Sequence, residues 1–221
     1  MSEFSAEEVR VLGVLMEKQL TTPEYYPLTP NAIRTASNQK SNRSPVVEYD
    51  EDLVQDTLQQ LRKKQMLVVV SGSGSRVRKY EHRMREVFFL NQREMAVLSV
   101  LMLRGPQTIG EIRSRTERMA DFSTLTEVEE VLKDLSADTR KPFPQVMQLP
   151  VWPGQKEPRF IHLMSGQPDI EKLQEETTMI MPQAAAAGAS RLTLLEEKVE
   201  SLTAELESLK EQFATFKEQF E

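Results

Sequence analysis

The 221-residue sequence predicts an α+β fold, mainly α, on three observations. A pattern of three helices followed by two strands occurs twice. Glycine- and proline-containing loops separate the paired strands. A strict apolar heptad then runs to the end of the chain.

The repeat is visible residue by residue. Arg10 to Lys18 (RVLGVLMEK) matches Ala96 to Arg104 (AVLSVLMLR), aligning Val11, Leu12, Val14, Leu15 and Met16 with Val97, Leu98, Val100, Leu101 and Met102. Both segments open on a capping box, Ser5 with Glu8 and Asn91 with Glu94, in which the first side chain accepts from an early N–H and the glutamate reaches back. Val9, Leu12, Leu15 and Met16 fall on one face at helical spacing, predicting an amphipathic first helix. LTPNAIRT (residues 28–35) matches QTIGEIRS (107–114), with Thr29 and Thr108 as N-caps of a short second helix. VQDTLQQL (54–61) matches VEEVLKDL (128–135) as the third helix, with Asp52/Gln55 and Thr126/Glu129 as its capping pairs. The strands of the first unit read as Leu67 to Val70 and Arg76 to Tyr80 across SGSGS, whose glycines supply the positive φ a tight hairpin needs. Those of the second read as Val146 to Trp152 and Arg159 to Leu163, flanking Pro153 and Gly154. Three helices closed by a β-hairpin make a winged helix-turn-helix, so two tandem domains are expected, at residues 1–88 and 89–166.

A linker follows at 167–189, where PDIEKLQEETTMIM reads as one further short helix and Pro182, Ala184 to Ala187 and Gly188 as flexible chain. From residue 190 to 221 the apolar residues are Leu192, Leu195, Val199, Leu202, Leu206, Leu209, Phe213, Phe216 and Phe220, at spacings alternating three and four. That is an a/d coiled-coil seam. A parallel dimer would set Arg191 against Glu196 and Glu205 against Lys210. A lone helix with such a stripe is marginal in water, so it calls for a partner: a homodimer is favoured, a trimer or tetramer stays open because three phenylalanines sit on the seam, and the bland reading folds the stripe back on the body.

Charge is unevenly spread. Lys+Arg against Asp+Glu stand at 13 to 12 in residues 1–88, 10 to 10 in 89–166 and 5 to 12 in 167–221. The acidity is the tail's, and the overall net charge of −6 says little about what the body binds. The tail's glutamate-rich polar face would be repelled by anionic lipid, and no stretch approaches 18 apolar residues, so membrane attachment is not expected. MSEFSAEEVR lacks a basic start and an apolar run, which does not suit a signal peptide. The sequence has no cysteine, which excludes disulfides, thiol nucleophiles and Cys-ligated metal, and fits a cytoplasmic location.

Residues Glu17 to Val46 (EKQLTTPEYYPLTPNAIRTASNQKSNRSPV), Ser71 to Arg83 (SGSGSRVRKYEHR) and Leu101 to Met119 (LMLRGPQTIGEIRSRTERM) resemble the signature of the YceH-like family of uncharacterised bacterial proteins. The resemblance covers about residues 5–165. The order of Pro, Tyr, Asn, Gln, Lys and Arg in the first string is not imposed by helix or strand periodicity. The resemblance implies a tandem winged-helix fold and a bacterial cytosolic protein, and it implies no particular activity. Ser37 stands before the Asn38-Gln39-Lys40 triplet where the resemblance leads one to expect cysteine.

In a winged helix the third helix enters the major groove and the hairpin meets the backbone. Candidate nucleic-acid contacts of the first unit are the loop residues Asn38, Gln39, Lys40, Asn42 and Arg43, the third-helix residues Gln55 and Gln59, and the hairpin cations Arg76, Arg78, Lys79, Arg83 and Arg85. Guanidinium and ammonium groups suit phosphates, and side-chain amides suit adenine edges. Asp50, Glu51, Asp52 and Asp56 oppose this, since they would repel DNA at the start of the third helix. The bland reading of the basic hairpin is a solvated edge strand. The second unit offers only Lys156 and Arg159 on its hairpin and is expected to pack or to bind protein. Double-stranded DNA and a protein partner therefore both stand as expectations. Nothing in the sequence supports catalysis, a cofactor or a metal: SGSGS precedes no GK[ST], and His82 and His162 occupy matching strand positions in different units.

Overall fold

A computed structural model describes residues 3–70 and 77–175. Residues Met1–Pro168 form one compact unit and Asp169–Glu221 a second. Of the second unit the described part is its start, where Asp169 caps a helical turn: its Oδ1 accepts from Lys172 N at 3.1 Å. The heptad residues from Leu192 to Phe220 lie outside the described residues, as do Arg76 and the SGSGS segment.

The first unit runs α1 (Ala6–Thr21), a 3-10 turn (Pro23–Tyr25), α2 (Pro30–Ser37), α3 (Glu51–Lys63), β1 (Leu67–Val70), β2 (Lys79–His82), α4 (Met84–Phe88), α5 (Gln92–Arg104), α6 (Ile109–Thr116), α7 (Leu125–Ser136), β3 (Val146–Gln148) and β4 (Phe160–His162). Mostly helical, with two two-stranded antiparallel sheets, it is α+β.

The internal repeat appears as repeated local chemistry. Both expected capping boxes at α1 and α5 form, with Ser5 N donating to Glu8 Oε2 at 2.8 Å and Asn91 N to Glu94 Oε2 at 2.7 Å. Thr29 and Thr108 cap α2 and α6. The two capping glutamates are buried, and each meets a cation from the segment after the third helix: Lys64 Nζ lies 2.6 Å from Glu8 and Arg140 Nη2 lies 2.8 Å from Glu94. α3 buries Val54, Thr57, Leu58 and Leu61, and α7 buries Val128, Val131, Leu132 and Leu135, the same spacing. In each half the segment before the second helix bridges the last strand, Leu28 to Tyr80 and Gln107 to Phe160. Each strand-end histidine accepts through Nδ1 from the N–H two residues on, Met84 to His82 at 3.2 Å and Met164 to His162 at 3.3 Å.

Three expectations shift. α3 and α7 start two residues earlier than expected: Asp50 and Thr124 are the caps, with Glu127 closing the second box. A cap competes with every other oxygen-bearing side chain nearby, and the winner is the one just before the helical backbone begins. The second strand is Lys79–His82 rather than Arg76 to Tyr80, because β1 pairs as Leu67↔His82 through Val70↔Lys79, burying Tyr80 and His82 on the inner face. Val77 and Arg78 therefore precede β2 instead of belonging to it. In the second half β3 ends at Gln148 and β4 at His162.

The largest difference concerns α1 and α5. Residues Glu8 to Met16 and Glu94 to Leu103 are buried without a break, not on one stripe. The two helices lie against each other, so the Gly13 face of α1, which would meet solvent in a lone domain, is covered by α5. A helix apolar all round is a central helix. Contact is closest at Gly13, where any side chain would put its Cβ 3.0 Å from Leu103 Cγ and 3.2 Å from Met102 Cβ. Buried side chains from both halves make one continuous core.

Candidate nucleic-acid interface

The residues expected at a DNA surface separate into three groups. Arg78 and Lys79 are exposed at the start of β2, beside the loop that carries Arg76 outside the described residues. Arg83 and Arg85 are not on the hairpin, as the register moves β2 toward its base. Arg83 precedes α4, and its Nη1 donates to Gln65 O at 3.3 Å; Arg85 is exposed within α4.

The loop after α2 is mostly stitched into the protein. Arg43 has no exposed side-chain surface. Its guanidinium grips Glu17 with two bonds, Nη1 to Oε1 at 3.0 Å and Nη2 to Oε2 at 2.7 Å, while Nε donates to Ala36 O at 3.0 Å. Burial pushes the Glu17 carboxyl up, but the hydrogen bonds and charge of Arg43 and Lys18 outweigh it and hold it below its ordinary range. Asn38 closes the loop onto Tyr49, donating from Nδ2 to its O and accepting its N–H at Oδ1, both at 2.8 Å. Arg10 Nη2 reaches Pro45 O, and Ser44 N donates to Leu103 O at 2.9 Å. Asn38 and Arg43 are thus structural side chains. Gln39, Lys40 and Asn42 remain toward solvent, but they line a cleft beside the end of α1, away from α3. Ser37, at the position of the expected cysteine, is fully buried.

On α3, Gln59 is exposed and Gln55 half-buried. Glu51, Asp52 and Asp56 are exposed at the helix start, and the Asp50 side chain is spent on Leu53 N at 2.8 Å. The opposite end is basic, with Arg62 and Lys63 exposed in the last turn. Both charge biases suit the helix dipole. Because Arg83 bonds to the turn after α3, these cations and Arg83 lie toward the hairpin base. Arg62 and Lys63 were not singled out in the sequence, where only the entry end of the third helix was weighed. Among the described residues, Arg62, Lys63, Arg78 and Lys79 make no ion pair.

The second half differs. Arg159 is held by Glu111 at 2.8 Å and by Pro106 O at 2.9 Å, leaving Lys156 as the hairpin's free cation among the described residues. Glu129, Glu130 and Asp134 are exposed on α7. Desolvation pushes both histidines down to about 4, so His82 and His162 are neutral packing residues at neutral pH. No helix among the described residues is long and apolar enough to cross a membrane.

Residues 4–155 match the family model described as "Protein of unknown function, DUF480". A UPF0502 protein of Citrifermentans bemidjiense is 50% identical over 192 residues, covering 87% of this chain and 86% of the relative. One from Enterobacter sp. (strain 638) is 46% identical over 208 residues, covering 92% and 94%, and one from Geobacter sulfurreducens is 47% identical over 199 residues, covering 88% of each. The matched span takes in the whole three-helix-and-hairpin first half and most of the second. With the family resemblance of the Glu17–Val46 and Leu101–Met119 strings thereby borne out, the chain belongs to the DUF480 family, alongside the UPF0502 proteins of bacteria.

Proposed function

We propose that this is a cytoplasmic, non-catalytic DNA-binding protein, built from two winged helix-turn-helix units and paired through a coiled coil at residues 190–221. The helix order, the antiparallel hairpin and the bridge from Leu28 to Tyr80 support the winged-helix reading. The observation that carries DNA binding is the cation set Arg62, Lys63, Arg78 and Lys79, at the end of α3 and the start of β2, which makes no ion pair among the described residues. Surface cations without carboxylate partners are the groups that release counterions from a duplex. The first winged helix, residues 1–88, is the DNA-contacting one. The second, whose α7 is acidic, serves as its packing partner.

The test is binding of a random 24-base-pair duplex across a salt series. The affinity should fall steeply with salt, by roughly 0.9 log units per log unit for each phosphate contacted. Arg78→Gln with Lys79→Gln should reduce that slope by about two. An unchanged slope, or no binding at low salt, would overturn the reading.

A second reading rests on the exposed Glu51, Asp52 and Asp56 at the start of α3 and Glu129 and Glu130 on α7. These acidic helix ends suit a basic protein partner, making the chain an adaptor. Duplex binding absent at low salt, with those five acids needed for partner capture, would favour it.

A further inference from the structure

Where α1 ends, a cleft of about 450 Å³ opens, lined by Lys18, Thr21 and Thr22 of α1 and its cap, Gln39 to Asn42 of the loop after α2, and Arg118 just beyond α6 in the second repeat. Its size falls within the range of ligand sites, but its lining is polar throughout, whereas sites for uncharged organic ligands are mostly apolar. Three of its side chains are cations. The one carboxylate in its wall, Glu17, is already neutralised: both oxygens bond to the buried Arg43, and Lys18 Nζ lies 3.2 Å away. Lys40 and Arg118 are exposed and make no hydrogen bond or ion pair among the described residues. Ser41 and Asn42 bring a hydroxyl and an amide to the same wall.

The surroundings deepen the positive field. The guanidinium of Arg104, at the end of α5, is partly desolvated and lies close enough to Arg115 and Arg43 for their charges to lower its pKa, against Glu17 as the single opposing neighbour. Arg43, Arg104 and Arg115 add positive charge at this junction, offset in part by Glu17 and by Glu111, which lies 3.6 Å from Arg115, and a fixed arrangement of cations favours a multiply charged anion.

We propose that this cleft is a phosphate-binding site, with Lys40 and Arg118 as its direct ligands and Lys18, Ser41 and Asn42 beside them. One wall comes from the end of α1, one from the loop after α2 and one, Arg118, from the second repeat, so the pair of direct ligands comes together only because the repeats pack together. The phosphate is either that of a small phosphorylated compound or one in a nucleic-acid backbone. The second source rests on the DNA reading above; the first does not.

The experiment uses the full chain, Lys40→Gln with Arg118→Gln, and Arg78→Gln with Lys79→Gln. Each is titrated calorimetrically with inorganic pyrophosphate and, separately, with the 24-base-pair duplex. Both cleft side chains are exposed and unpartnered, so thermal unfolding of the cleft variant should match the parent chain. Loss of pyrophosphate affinity by about tenfold per contact in the cleft variant alone supports a site for small phosphorylated compounds. A duplex salt slope reduced by about two in the cleft variant, without pyrophosphate binding, supports a backbone-phosphate site. If the cleft variant binds both probes as the parent does, or the parent binds neither, the inference fails. A hairpin variant that weakens duplex binding while the cleft variant keeps the parent's affinity for both probes would sink the cleft and leave the DNA reading standing. The reverse pattern would do the opposite.

Discussion

Arg43 shows what a sequence hides at the scale of a residue. In the string NQKSNRSP it has the same appearance as Lys40, three positions earlier, yet one is buried against Glu17 and the other is exposed in the cleft. The distinguishing partner is 26 residues away, and no local pattern points to it. Arg43→Ala should destabilise the protein by about 1–3 kcal/mol in urea unfolding, since it leaves the half-buried Glu17 carboxylate with Lys18 alone and removes the bond to Ala36 O. Arg43→Lys should recover only part, because an ammonium cannot make the two parallel bonds. Lys40→Gln should cost nothing measurable. The histidines were legible as strand residues at matching positions, and the structure adds that both are desolvated. Both stay neutral down to about pH 4, below the unfolded value of 6.5. The unfolded chain therefore binds more protons between those limits. Their contribution is complete above about pH 6.5 and declines as pH falls toward 4. His82→Asn with His162→Asn keeps an acceptor for the N–H of Met84 and Met164. The loss of stability between pH 7 and 4.5 should shrink by roughly 1–3 kcal/mol in this variant, measured as urea midpoints.

At the scale of elements, the sequence was most informative about helices and least about where they begin. The 3.6-residue period fixed which faces of α3 and α7 are buried, down to Val54, Leu58 and Leu61 against Val128, Leu132 and Leu135. Starts were harder because Thr124 and Thr126 both precede a glutamate by three residues, and only backbone geometry decides between them. Thr124→Ala should lower stability by about 1 kcal/mol, and Thr126→Ala, within the helix, by less than about 0.5 kcal/mol, both read by thermal unfolding. The second strand was set too early for a related reason. Glycines mark a loop but not its length, and register came from burying Tyr80 and His82 against Leu67. Arg83 and Arg85 went with it to the base of the hairpin.

For the whole molecule, the sequence announced two units but not how they meet. Val11 and Val14 were the available signal: they extend the apolar surface of α1 beyond one stripe, as Val97 and Val100 do in α5. Because one continuous core joins the halves, residues 1–168 should unfold as one cooperative transition. Leu12→Ala and Leu98→Ala should each move that whole transition in calorimetry, at a cost of about 2–5 kcal/mol. Two separated steps would contradict it. If the proposed coiled coil pairs the chains, truncation after Gly188 should lower the oligomer's sedimentation mass to a monomer's, and an unaltered oligomeric state would refute assembly through residues 190–221.

The notch at Gly13 has a mechanical consequence. At this position α1 carries no side chain, and α5 comes close enough that an added Cβ would sit 3.0 Å from Leu103 Cγ and 3.2 Å from Met102 Cβ, so the joint between the halves has little room for anything larger. Gly13→Leu, which wedges that joint by about 1–3 kcal/mol of overpacking, should therefore loosen both hairpins at once instead of opening one of them.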